Sequence, residues 1–171
     1  ALNSVAATET AVFAGGYMYA TDGTIDRYLV KYDLTSGAKV WDATLSDPKA
    51  GRDGAIESLI ITADGGLVVT GLINAPAGAL EGFKSYGNPW GGEAYIAYYS
   101  AQQLASSSAP AGPVWLTVLP ECVSGKGVRE VGDGVGGFVI AAGWRLLRRG
   151  FLTGWFVWPF KGINKKLIGL I

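Results

Sequence analysis

The amino-acid sequence predicts an all-β protein assembled from a repeated antiparallel unit, and three observations carry that expectation. First, Tyr28-Leu-Val-Lys-Tyr-Asp33 leads through a turn into Val40-Trp41, with Leu45 following. Tyr95-Ile-Ala-Tyr-Tyr-Ser100 leads through a longer turn into Val114-Trp115, with Leu119 in the matching place. The same pattern thus recurs after about 70 residues, a period that belongs to repeat architectures. Second, glycine supplies 26 of the 171 residues, about twice its usual share, which calls for many tight turns. Third, aromatic residues make up 12% of the chain, a composition suited to pleated, half-buried strands.

The elements follow in order. Ala11–Gly15 and Tyr17–Ala20 are short apolar runs beside glycine, and Asp22-Gly-Thr24 is a turn signal. Tyr28–Asp33 alternates, with Tyr28, Val30 and Tyr32 on one face and Leu29, Lys31 and Asp33 on the other. Asp33-Leu-Thr-Ser-Gly37 is a hairpin turn in which Asp33 accepts backbone N–H groups and Gly37 takes positive φ. Ala38–Leu45 is the return strand, with Trp41 and Leu45 on one side. After a polar loop, Ile56–Thr62 and Leu67–Ile73 form a hairpin around Ala63-Asp-Gly-Gly66. Asn74–Gly92 reads as a long connecting loop. Tyr95–Ser100 and Pro113–Leu119 make the next hairpin, its turn swollen over Ala101–Gly112. Val128–Val131 and Phe138–Gly143 begin another unit.

No helical periodicity is visible before residue 144. The count is about nine strands in units of four, at a spacing that fits the blades of a partial β-propeller. The blades fall at about 8–54, 55–126 and 127–143, followed by a different segment, 144–171. A sandwich also strings short strands together, but it does not require Val-Trp-x-x-x-Leu to recur after an aromatic strand and a glycine turn.

Lys31-Tyr-Asp33-Leu-Thr-Ser-Gly37-Ala-Lys-Val-Trp41 resembles the repeat of the PQQ-like, quinoprotein-type β-propellers. Asp64-Gly65-Gly66-Leu-Val-Val-Thr-Gly71 is similar to a hairpin of related bacterial and surface-protein propeller repeats. The resemblance covers residues 8–143. It implies that Trp41 and Trp115 lie between neighbouring blades, and that Gly37 lets the next backbone approach. It further implies structural roles for Asp33, Asp64, Gly65, Gly66 and Gly71, and a secreted protein in an extracellular or periplasmic location. The second unit departs from the pattern, with Ser100 where Asp33 stands. In this family PQQ and calcium are held by residues from many blades of a closed ring, so an incomplete ring implies no cofactor.

Composition bounds the chemistry. Hydrophobic residues at 49% and charged ones at 16% exclude a disordered chain. No apolar stretch reaches the roughly 20 residues of a membrane-spanning helix. The start at Ala1 lacks a basic region followed by an apolar one, consistent with processing or truncation. With no histidine, every His-based triad or zinc site is excluded, and the single Cys122 has neither a disulfide partner nor a His to activate it. Asp22-Gly-Thr-Ile-Asp26 and the region of Asp133 lack the run of carboxylates that a calcium loop needs. Asp53 with Glu57, and Glu121 with Glu130, are candidate acid/base pairs that nothing in the sequence forces together.

Net charge zero conceals a division. Residues 1–143 hold eight basic and fourteen acidic residues, a net of −6, whereas 144–171 hold six basic residues and no acid, a net of +6. Arg145, Arg148 and Arg149 stand beside Trp155 and Trp158. Three readings of this tail stay open. It is non-native sequence standing where the third blade should finish, or a surface segment that contacts anionic membrane. The third is a nucleic-acid contact, disfavoured by the acidity of the rest. The expected function is non-catalytic: binding or scaffolding of a protein or glycan partner, with self-association through exposed edge strands. The alternatives are a fragment of a PQQ-dependent dehydrogenase and a surface protein anchored through the tail.

Overall fold

The computed structural model describes residues 1–45, 51–76, 92–119, 122–131, 137–146 and 150–158. The expected loop over Asn74–Gly92 falls mainly on 77–91, and Asp133, Arg148, Arg149 and 159–171 also lie outside the described residues.

The protein is all-β, and the described strands form three antiparallel sheets, each a simple meander. The first contains β1 (Leu2–Ala7), β2 (Ala11–Tyr19), β3 (Ile25–Asp33) and β4 (Lys39–Leu45). The second contains β5 (Arg52–Ile61), β6 (Leu67–Pro76), β7 (Glu93–Tyr99) and β8 (Trp115–Leu119). The third contains β9 (Cys122–Val131), β10 (Gly137–Leu146) and β11 (Gly150–Trp158). No sheet closes on itself among the described residues.

Three features differ from the sequence expectation. The first sheet has a fourth strand, β1, which pairs with β2 from Leu2↔Gly16 to Ala7↔Val12. Its side chains are half-buried or exposed, so it lacks the apolar contrast that marks an internal strand. The swollen turn after β7 contains α1 (Ala101–Ala105). The strand structure also crosses residue 143: β10 runs to Leu146 and pairs with β11 from Phe138↔Trp158 to Leu146↔Gly150.

Successive sheets stack face to face. β5 lies across β1, β2 and β3, and β9 lies across β5, β6 and β7. The first strand of each sheet thus covers the first three strands of the sheet before it. The principal core sits between the first two sheets, with Phe13, Leu29 and Trp41 from one and Ile56, Leu59, Val69, Tyr95 and Tyr99 from the other. A second cluster joins Val68, Ala94, Ile96 and Leu119 to Val128 and Ile140 of the third sheet. Burial of this apolar area, at about 25 cal/mol per Å², is the main force holding the sheets together.

Candidate functional site

The residues singled out by the repeat gather at the junctions between sheets and at hairpin turns. Lys31 pairs with Trp41 across β3 and β4, and Tyr98 pairs with Trp115 across β7 and β8, so the two tryptophans occupy matching places. Trp41 is buried in the core between the first and second sheets. Its ring tilts against Phe13, 6.1 Å between centroids, and its indole N–H donates to the Ser106 carbonyl at 3.2 Å. Trp115 is only partly buried; it packs on the cluster that faces the third sheet and stacks on Tyr98 at 5.8 Å. Each tryptophan therefore faces the sheet that follows its own.

Lys31 completes the first junction. It emerges from β3 on the face of Leu29, and its ammonium donates to the Leu104 carbonyl at 2.6 Å and the Ser106 carbonyl at 3.3 Å. Both acceptors lie at the C-terminal end of α1, where a cation compensates carbonyls the helix leaves unsatisfied. The helix forms because Ser100 caps it: the Ser100 hydroxyl accepts the Gln103 N–H, and the Gln103 side chain accepts the Ser100 N–H. Deeper in the same junction the Arg27 guanidinium lies 5.2 Å from the centre of the Tyr95 ring, a cation–π geometry. Asp53 is fully buried and accepts the Ile25 N–H at 3.0 Å. Burial drives the Tyr95 hydroxyl pKa upward and that of Tyr99 to about 12.

The turn motifs are held by carboxylates. Asp33 accepts the Thr35 and Ser36 N–H groups and the Ser36 hydroxyl, and these bonds hold its pKa below the usual value. Asp64 accepts the Thr62 hydroxyl, the Tyr98 hydroxyl at 2.7 Å and the Gly66 N–H at 3.1 Å. The bond from Thr62, then that from Tyr98, lowers its pKa. Burial first, then the bond to Asp64, raises Tyr98 to about 12.

Gly37 and Gly65 both take positive φ, 71° and 78°. The space beside Gly37 is open, so its backbone angle, and not the approach of another chain segment, requires glycine. At Gly66 a Cβ would enter the Tyr98 ring, and at Gly71 it would enter the Ala55 carbonyl on β5.

The carboxylates offered as chemical pairs have other partners where they are described. Glu57 pairs with Lys126 at 3.2 Å, while its proposed mate Asp53 serves the Ile25 backbone. Glu130 accepts the Ala63 N–H at 2.9 Å, and Glu121 lies outside the described residues. Asp22 accepts the Thr24 N–H and hydroxyl within its turn. Among the described residues no three metal-ligating side chains cluster. Arg145 pairs with Phe151 in the β10–β11 register, Trp155 with Ala141 and Trp158 with Phe138.

Sequence reasoning missed Arg27, Lys31 and Asp53 as residues of the junction. The signal for Lys31 was present, since it alternates with Leu29 on the face that carries Trp41. No protein-family model matches the chain, and no similar sequence was found among curated proteins.

Proposed function

We propose that this chain is a β-propeller-type repeat domain, an incomplete ring that works in binding or scaffolding without catalysis of its own. The observation that supports the reading is the repeated junction. Meander sheets follow one another in chain order, the first strand of each lies across the sheet before it, and a tryptophan in the matching place faces forward. Stacking of this kind is how propeller blades bury their faces. The side chains at the first junction, from Trp41 and Lys31 to Arg27 and Asp53, are engaged with protein groups, which suits a structural role for them.

A thermal-shift titration with PQQ and calcium tests the non-catalytic reading. A ligand that binds the native state at 100 times its Kd adds about 2.7 kcal/mol of stability. The expected result is an unchanged melting temperature. A dose-dependent rise would overturn the reading in favour of a dehydrogenase fragment.

A further inference from the structure

β5 is an edge strand of the second sheet, and its sequence makes that edge a hazard. Ile56-Glu-Ser-Leu-Ile-Ile61 combines apolar and β-branched residues with a single charge and no proline, the composition of segments that pair with copies of themselves. An edge of this kind offers its outward N–H and C=O groups as a template for another strand.

β1 closes that template with side chains. The Asn3 side-chain amide donates to the Ile56 carbonyl at 2.8 Å, and the Leu59 N–H donates to the Ser4 hydroxyl at 3.1 Å. Neighbouring residues of a regular strand point to opposite faces, so Asn3 and Ser4 would not both reach β5. They do so because the register of β1 on β2 shifts between Leu2↔Gly16 and Ser4↔Gly15, which makes Asn3 an extra residue. A bulge of this kind re-aims a side chain at a sheet edge. Apolar packing adds little to the hold. Of the β1 side chains only Ala6 packs on the core, while Leu2 and Val5 are 54% and 66% exposed.

We propose that β1 is a releasable guard on the β5 edge, and that its release lets β5 pair with β5 of a second copy of this chain. The covered groups select that occupant. Antiparallel pairing of one β5 with another offers the same partners to the Ile56 carbonyl and the Leu59 N–H of both copies, a two-fold contact. Asn3 and Ser4 are therefore the lock on an interaction surface that the folded chain keeps covered.

Sedimentation of the full chain over a range of concentrations, joined to hydrogen exchange at the Leu59 amide, tests the guard. The variants are Asn3→Ala with Ser4→Ala, Ser4→Ala alone, Ser4→Thr, which keeps the hydroxyl, and Val5→Thr on the opposite face of β1. At low concentration the double variant should exchange the Leu59 amide about tenfold faster than the parent chain, the equivalent of one hydrogen bond. On association that amide should become protected again. Self-association should be strongest in the double variant, weaker in Ser4→Ala, and unchanged from the parent in Ser4→Thr and Val5→Thr. Should the double variant fail to fold, judged by Trp41 emission, the contrast between Ser4→Ala and Ser4→Thr decides the matter. Equal association by those two, or association that leaves the Leu59 amide in fast exchange, would overturn the proposal. So would a parent chain that associates as readily as the double variant.

Discussion

Trp41 and Trp115 show how one residue type in one repeat position takes on different weights. Trp41 is enclosed by two sheets and bonded to Ser106, whereas Trp115 keeps part of its ring in solvent. Truncation of a buried large aromatic costs about 3–5 kcal/mol. Denaturant unfolding of Trp41→Ala should show a loss of that size, and Trp115→Ala a clearly smaller one. Equal losses would mean that the two junctions are energetically alike. The titratable residues make a second prediction. Asp64 has a lowered pKa in the folded protein, so its contribution is present above the unfolded value of about 3.9 and is lost as pH falls through the folded value. Tyr28, Tyr98 and Tyr99 are raised to about 12. Their contribution is complete below the unfolded value of about 10 and disappears as pH rises through 12. Stability measured against pH should therefore fall at both ends. In Tyr98→Phe, which has one half-buried phenol fewer and no bond to Asp64, both falls should be shallower.

At the scale of elements, α1 is small but holds the first junction in place. Its Ser100-x-x-Gln103 capping box orders the Leu104 and Ser106 carbonyls that receive Lys31 and Trp41. Loss of an N-cap costs about 1 kcal/mol, and Ser100→Ala should show at least that in chemical denaturation. Lys31→Met keeps the aliphatic stem but leaves the Leu104 carbonyl without its donor, while Ser106 keeps the Trp41 indole, a cost of about 1–3 kcal/mol. Because both substitutions act on the same carbonyls, the double variant should lose less than the sum of the two. Full additivity would show that the cap and the lysine act independently. The capping box was legible in the sequence, yet the surrounding hairpin pattern drew Ala101–Gly112 into a single turn. The strands β2 to β8 were legible because their apolar runs are bounded by turn residues, even where, as in β6, both faces are buried from Leu67 to Ala75. β1 was not, since an exposed edge strand carries no apolar face to read. The turn bonds of Asp33 were likewise visible from residue type and spacing. The polar contacts of Arg27 and Asp53 were hidden, because they depend on which sheets stack.

At the scale of the molecule, the change in composition near residue 143 and the pairing of strands give different boundaries. Acidic residues end at Asp133 and the basic segment begins at Trp144, yet β10 continues to Leu146 and holds β11 in unbroken register. The third sheet is what covers Val68, Ala94, Ile96 and Leu119, through Val128 of β9 and Ile140 of β10. β10 is the middle strand of that sheet, so its pairing with β11 bears on how firmly Ile140 is held. Ending the chain at Gly143 removes β11 and leaves β10 with an unpaired edge, a form open to aggregation. The expected outcome is a lower melting temperature than the full chain and increased binding of a hydrophobic dye. Trp41 fluorescence should report a first junction that survives to a higher temperature than the second, since the first and second sheets keep all their partners. A shortened chain that melts with the full one would place the structural boundary at residue 143, where the composition changes. A shortened chain whose two junctions fail together would show instead that the sheets form a single cooperative stack, in which the last sheet stabilises the first.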